Sequence, residues 1–340
     1  MSFEEKNGCL NNEMEKANSM AEIVNQTESK CKNFFHAEFK KFPVCFVNAL
    51  RRILLTDIPT VVIRDVEILE NTTQLPHEMM RHRVEMLPVN VHPTDASTIR
   101  EAKVELRVIA EKEGVRTIRT NDFVIESSRP TLLMNDRELD TPLLFVRVRP
   151  NESVHLRGKL AVETKTASQV CTATTMWHVD PVRAKEDKRV FVDENNGSPA
   201  VFDNFYSQRS YSRDEKGRPD WIDLDVESVG VIPAKELVDM AVKILRKQVG
   251  EYMTAALVNI QRQKDDEFRV ELDIGGHTVC ALLQEVLYKT QDVQFVSYDI
   301  PHPLRPETVM RFHTKRVPET ILQAAQAVVE EYCEGVEKSL

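Results

Sequence analysis

The sequence predicts an α+β fold in which two like units, each a set of helices on an antiparallel sheet, pair inside one chain. A β-rich domain is inserted in the first unit. Three observations predict this. Two helices with matching apolar positions recur 232 residues apart, and a long amphipathic helix closes each half. Between about Val89 and Thr175 the periodicity changes from helical to alternating, the signature of half-buried strands.

Each element follows from local chemistry. Residues 1–30 carry six glutamates against three lysines and lack a cationic start followed by an apolar core. They read as a mobile acidic tail with room for one short helix, not as a secretory signal. "NFFHAEFKKF" is a strand. "FPVCFVNALRRILL" is a helix: Pro43 suits its first turn, where a missing N–H costs nothing, and Val44, Val47, Leu50, Ile53 and Leu54 recur at helical spacing. With the strand "TVVIRDVEI", residues 31–66 make the first part of the first pairing unit. Pro76 opens the helix "PHEMMRHRVEML", striped by Met80, Val84 and Leu87. "AKVELRVIA", "LLFVRVR" and "VHLRGKLAVET" alternate apolar with charged residues, which sets off residues 67–190 as the insert.

Residues 191–221 are polar and turn-rich and are expected to form a long exposed loop. The strand "WIDLDVESVG" and a long helix from Pro233 complete the first unit over 222–262. Leu237, Met240, Ile244, Tyr252, Ala256 and Ile260 lie near one face of that helix. The second unit, 263–340, opens with the charged joint "QRQKDDE", whose seven residues reach about 23 Å if extended. A strand "FRVELDI" leads through Gly275 and Gly276 to the helix "TVCALLQEVLYK", which Thr278 is placed to cap. The strands "VQFVSYDI" and "TVMRFHT" flank the turn "PHPLRP". The last helix turns Ile321, Leu322, Ala325, Val328, Val329, Tyr332 and Val336 inward.

The repeat is visible residue by residue. Val47 matches Val279, Ala49 and Leu50 match Ala281 and Leu282, and Leu54 and Leu55 match Val286 and Leu287. Two units that each expose one apolar surface satisfy each other as a symmetric dimer does. The expected pairing interface comprises Phe46, Val47, Leu50, Leu54, Val279, Leu282, Val286, Val328, Val329 and Tyr332. One difference stands out: Arg51 and Arg52 align with Leu283 and Gln284. Two adjacent arginines in a helix apolar nearly all round call for partners.

Composition narrows the function. The 340 residues, 41% hydrophobic and 29% charged, are ordinary for a soluble intracellular protein. No apolar run approaches a membrane span. Six scattered cysteines argue against a disulfide framework. A net charge of −9 means that any contact with nucleic acid is local or made through partners. No phosphate loop, dinucleotide fingerprint or nucleophile elbow occurs, so no catalytic and no cofactor-binding residue is assigned. His277 marks a turn, Trp177 and His178 pack where the insert rejoins the core, and "RDEKGR" is a solvated loop. His77 and His82 are poorly spaced for one metal and no C-x-x-C exists, so no metal is expected.

"NALRRILLTDIPTVVI", "NTTQLPHEMMRHRVEMLPV" and "VESVGVIPAKELV" resemble the α-type assembly subunit of multisubunit DNA-dependent RNA polymerases, closest to its archaeal D-type form or to the third-largest subunit of the eukaryotic enzyme II. "GGHTVCALLQEVL" with "VQFVSYDIPHPL" resembles its small partner, the archaeal L-type chain. Together they cover residues 33–338. Both in one polypeptide resemble the fused subunit of large cytoplasmic DNA viruses.

The resemblance implies a non-catalytic platform on which the second-largest and largest subunits assemble, with small zinc-binding subunits nearby and no sequence-specific DNA contact or membrane. In a virus it would act in the cytoplasmic factory or be packaged in the virion. It further implies that Asn48, Arg51 and Arg52 face the second-largest subunit, and that Leu283 and Gln284 face the largest. An ion pair within the chain is the competing account of the arginines. Many relatives carry a cysteine cluster in the insert, but no cysteine lies between Cys45 and Cys171, so that site is absent. The DNA-binding domain that ends a bacterial α subunit is not matched either. A free-standing oligomeric DNA-binding regulator is the alternative, disfavoured by charge and by the lack of a reading helix.

Overall fold

The computed structural model describes residues 21–110, 114–127, 129, 131–136, 139–165, 170–193, 197–263, 266–290 and 292–340. Strand β2 (Phe34–Lys40) buries Phe35, Ala37 and Phe39 on one face, as a period of two requires. It lies between β1 (Glu22–Glu28) and β10 (Trp221–Ser228), and β10 pairs on its far side with β9 (Cys171–Trp177). The second sheet repeats this plan with β11 (Ile260–Arg262), β12 (Glu267–Leu272), β14 (Thr308–Thr314) and β13 (Val293–Asp299), in that spatial order. All pairings in both sheets are antiparallel.

Four helices fill the space between the sheets. They are α1 (Val44–Thr56), α5 (Ala234–Val258), α6 (Gly276–Lys289) and α7 (Pro318–Ser339). Helix α1 packs on β9 and β10, and α6 on β13 and β14. The long helices cross over: α5 also touches β12 of the second sheet, and α7 touches β1 of the first. One continuous apolar core therefore runs through both units.

The insert is a body of its own. A four-stranded sheet of β3 (Thr60–Asn71), β8 (Ser153–Glu163), β4 (Lys103–Ile109) and β6 (Val124–Glu126) carries helices α2 (His77–Glu85) and α3 (Ala96–Glu101). A ribbon of β5 (Arg116–Arg119) and β7 (Leu144–Val148) completes it. Val61, Ile63, Met80, Val84, Leu106 and Leu156 belong to a core separate from that of the paired units.

The two-unit architecture holds, but several sequence expectations are corrected. The segment "TVVIRDVEI" is β3 of the insert and not part of the first sheet; the true counterpart of β13 is β9. The boundaries 31–66 and 67–190 therefore move, and the insert occupies roughly the span from β3 to β8. Local alternation cannot reveal which sheet a strand joins, because pairing is non-local. The exposed loop expected over 191–221 is partly helical. Helix α4 (Pro181–Asp193) runs into it, and helical turns at 199–209 bury Phe202. Helix α4 buries no residue, so it has no apolar stripe to announce it. The tail expected over 1–30 is corrected at its end, where Glu22–Glu28 form β1; residues 1–20 lie outside the described residues. Ile260 leaves the long helix to begin β11, which folds back on β12, so most of the joint is a hairpin. Thr278 is inside α6, whose N-cap is Gly275.

Candidate functional site

The pairing seam is built from reciprocal contacts. Phe42 and Phe46 stack at the start of α1, 5.5 Å apart, and Tyr332 of α7 lies 5.7 and 5.5 Å from them. In the other direction Tyr252 of α5 covers the start of α6. A Cβ on Gly275 would lie 2.6 Å from its ring, and Gly275 has φ +93°, so only glycine suits that turn. Each unit's last helix thus delivers a buried tyrosine to the other unit's first helix. Phe46, Val47, Leu50, Leu54, Val279, Leu282, Val286, Val328, Val329 and Tyr332 all lie in this one core.

Ion pairs tie the seam at its half-buried edge, a feature the periodicity did not disclose. Arg246 of α5 donates from Nη1 and Nη2 to the two Glu337 oxygens of α7 at 3.0 and 2.9 Å. Its Nε lies 2.6 Å from Glu330 Oε1, an ionic contact without hydrogen-bond angles. Burial works against the Arg246 charge, but the Glu337 hydrogen bonds and the Glu330 and Glu337 carboxylates outweigh it and hold its pKa above the usual value. The "KILRK" segment offered a signal, a lone arginine within an apolar stripe.

The polar stripe on α1 faces outward. Asn48 and Arg52 are exposed and Arg51 is half-buried. Arg51 donates from Nε and Nη2 to Asn48 Oδ1 at 3.1 and 2.9 Å, and Arg52 donates from Nε to Thr278 Oγ1 of α6 at 2.9 Å. Among the described residues neither guanidinium has a carboxylate partner; an amide and a hydroxyl hold them instead. Beside the stripe lies a groove of about 540 Å³; among its lining residues Val44, Met176 and Trp177 are exposed, and Val47 and Ile222 are buried.

The second unit offers no matching face. Asn48, Arg51 and Arg52 correspond at the 232-residue offset to Cys280, Leu283 and Gln284. Cys280 and Leu283 are fully buried, and Gln284 donates to the Val296 carbonyl at 3.4 Å. The expectation that Leu283 docks another chain is corrected: its side chain is spent inside the molecule. His277 sits 3.4 Å from the Tyr298 hydroxyl at an exposed position, with no carboxylate beside it among the described residues. The metal-competent donor set among the described residues is His36, Glu38 and Asp223, on the outer face of the first sheet.

Comparison with known sequences finds one family in both units. The family described as RNA polymerase Rpb3/Rpb11 dimerisation domain matches residues 37–249, and a second model of the same description matches residues 267–339. Among individual proteins, DNA-directed RNA polymerase subunit Rpo3 of Methanocaldococcus jannaschii is 34% identical over 87 residues, which are 26% of this chain and 42% of that protein. Rpo3 of Aeropyrum pernix is 24% identical over 258 residues, covering 63% and 88% of the two chains. DNA-directed RNA polymerase II subunit RPB3 of Schizosaccharomyces pombe is 27% identical over 236 residues, covering 59% and 76%. No helix among the described residues is long and apolar enough to cross a membrane.

Proposed function

The chain belongs to the RNA polymerase Rpb3/Rpb11 dimerisation-domain family, and from that premise we propose that it is a non-catalytic assembly platform of a DNA-dependent RNA polymerase. Its two halves pair internally, and the stripe of Asn48, Arg51 and Arg52 docks the second-largest subunit. The observation that carries this reading is the state of the arginines. Two adjacent guanidiniums stand on the outer side of the pairing seam, held by an amide and a hydroxyl, with no carboxylate among the described residues. Their five-donor forks suit carboxylates and backbone carbonyls of another chain. The adjoining groove, with exposed Val44, Met176 and Trp177, supplies the apolar area that such an interface needs.

A single chain that carries two matches to this family supports a further step: it does the work of an Rpo3-type subunit and its small partner together. On this reading Gln284 borders the footprint of the largest subunit, and small zinc-binding subunits are additional neighbours. The net charge of −9 supports contact with DNA through partners only. The fused arrangement resembles that of large cytoplasmic DNA viruses, and on that likeness the protein would act in a cytoplasmic virus factory or be packaged in the virion.

The test is co-expression of the wild type and of Arg51→Ala/Arg52→Ala with the second-largest subunit. Truncating an interfacial charge contact costs roughly 2–5 kcal/mol. Capture of that subunit is expected to collapse for the double variant while its melting temperature stays within a few degrees of wild type. Undiminished capture would sink the docking assignment.

A further inference from the structure

The outer face of the first sheet carries a cluster of titratable side chains, one of which, Asp223, also lines the groove beside the α1 stripe. His36 and Glu38 are next-but-one neighbours on β2, so both point to this face. In the antiparallel register Asp223 of β10 lies directly opposite Glu38, and Asp225 directly opposite His36. Like charges placed opposite each other across two strands repel. Here the pair is Glu38, 7% exposed, against Asp223, whose side chain is 16% exposed. Among the described residues no lysine or arginine forms an ion pair with Glu38, Asp223 or Asp225. The nearest candidate along the strand, Lys40, lies over the Trp221 ring at 4.5 Å instead. Three carboxylates in a half-buried patch, met among the described residues by two imidazoles and by no lysine or arginine, leave a place for a cation.

We propose that His36, Glu38 and Asp223 bind a divalent transition-metal ion of the zinc type. One ligand atom from each lies within 4.8 Å of the other two, and His36 Nε2 stands 3.8 Å from Glu38 Oε1. Metal–ligand bonds of about 2.0–2.2 Å in a tetrahedron separate donors by about 3.4 Å, so small side-chain rotations close the site. Two carboxylates neutralise the ion, the imidazole favours a transition metal over magnesium or calcium, and a fourth position stays open to water.

The outer shell is already in place, one partner for each ligand and each from a different segment. Asp225 accepts the Nδ1 proton of His36 at 2.6 Å, which leaves Nε2 free as a lone-pair donor. His178, stacked on Trp221 with centroids 4.1 Å apart, donates to Asp223 Oδ1 at 2.9 Å. Asn25 of β1 donates to both Glu38 oxygens at 3.2 and 3.1 Å. A carboxylate that fixes the tautomer of a histidine is the arrangement that metal-binding histidines use. The ion would fasten β2 to β10 on the side away from the pairing core. Sequence spacing hid the set, because Asp223 follows Glu38 by 185 residues and no member is a cysteine.

The test uses Zn²⁺ alone as the probe on the full chain, freed of metal by a chelator and titrated against a chromophoric competitor. One equivalent is expected to bind. His36→Gln and Asp223→Asn should each weaken that binding at least 100-fold. Asp225→Asn, which loosens the histidine without removing a ligand, should weaken it 10–100-fold. Zinc should also raise the melting temperature of the wild type and not of His36→Gln. Absence of a bound equivalent, or equal affinity in all three variants, overturns the proposal. X-ray absorption at the zinc edge of the wild type decides the matter even if a variant does not fold. One imidazole with oxygen donors supports the site, and a shell containing sulfur or several imidazoles overturns it.

Discussion

Arg246 shows what a single residue contributes at the seam. Its side chain is 32% exposed and that of Glu337 25%, so the pair is screened less than a surface bridge yet is not deeply desolvated. We expect Arg246→Ala to cost about 2 kcal/mol of stability, the scale of hydrogen bonds to a charged group. A double-mutant cycle with Glu337→Ala, followed by thermal melting, should return a coupling of about 1 kcal/mol; additive losses would mean that the arginine acts by packing alone. The cysteines give a second prediction at this scale. Burial pushes the Cys171 and Cys333 thiols from 9.0 up to about 12, with the Cys333 value also drawn down by Arg246 and up by Glu330 and Glu337. A thiol harder to ionise when folded adds stability that is complete below pH 9 and is lost as pH rises towards 12. By pH 10 the loss is about 1 kcal/mol per thiol. Denaturant midpoints measured at pH 8 and pH 10 should differ accordingly. At pH 8 the exposed Cys31 should react with a disulfide reagent at once, whereas Cys171 and Cys333 should wait for unfolding.

At the scale of elements, helices were more legible than strand partners. The apolar stripe of α1 and its echo in α6 were written in the spacing, since a helix buries what its own period places on one face. Membership of a sheet was not, because the apolar run that marks β3 as a strand carries no mark of its partner, and only distant pairing assigns it to the insert. The stripe itself was half legible. Asn48, Arg51 and Arg52 could be placed together from their spacing of three and four, but the fate of the equivalent face on α6 could not. The reach of Tyr252 to the start of α6 is a tertiary fact. The correction at Leu283 becomes a prediction. Leu283→Ala removes a fully buried side chain from the continuous core and should cost about 2–5 kcal/mol. Gln284→Ala, at a half-buried position with one long hydrogen bond, should stay within about 1 kcal/mol of wild type. Chemical denaturation of both variants checks the contrast. Equal losses would mean that the face of α6 is open, as that of α1 is.

At the scale of the whole molecule, the two units differ by two insertions: the larger lies between first helix and hairpin, and the smaller inside the hairpin, where residues 178–220 separate β9 from β10 but only 300–307 separate β13 from β14. In the second unit α6 passes to β13 through residues 290–292. In the first unit the same step, from α1 to β9, contains the entire insert. The ends of that excursion meet. The Lys165 amide donates to the Thr56 carbonyl at 2.5 Å, and the Cys171 thiol donates to the Leu54 carbonyl at 3.2 Å. The two bodies also have separate apolar cores, which meet at a small cavity lined by Val61, Val89 and Val91 of the insert and by Val170 and Ile232 of the paired units. A chain whose core is complete without a segment, and whose cut ends already touch, should tolerate losing that segment. Replacing residues 59–164, which keeps the buried Ile58 and the Lys165 amide, with a short glycine–serine link should leave a cooperatively folding protein in which α5 still pairs with α7. The diagnostic is the Arg246–Glu337 contact: Arg246→Ala should destabilise the shortened protein by the same increment as the full chain. A shortened protein that collapses without a cooperative transition would mean that the insert braces the paired units, and that the two cores are one in energy though separate in space.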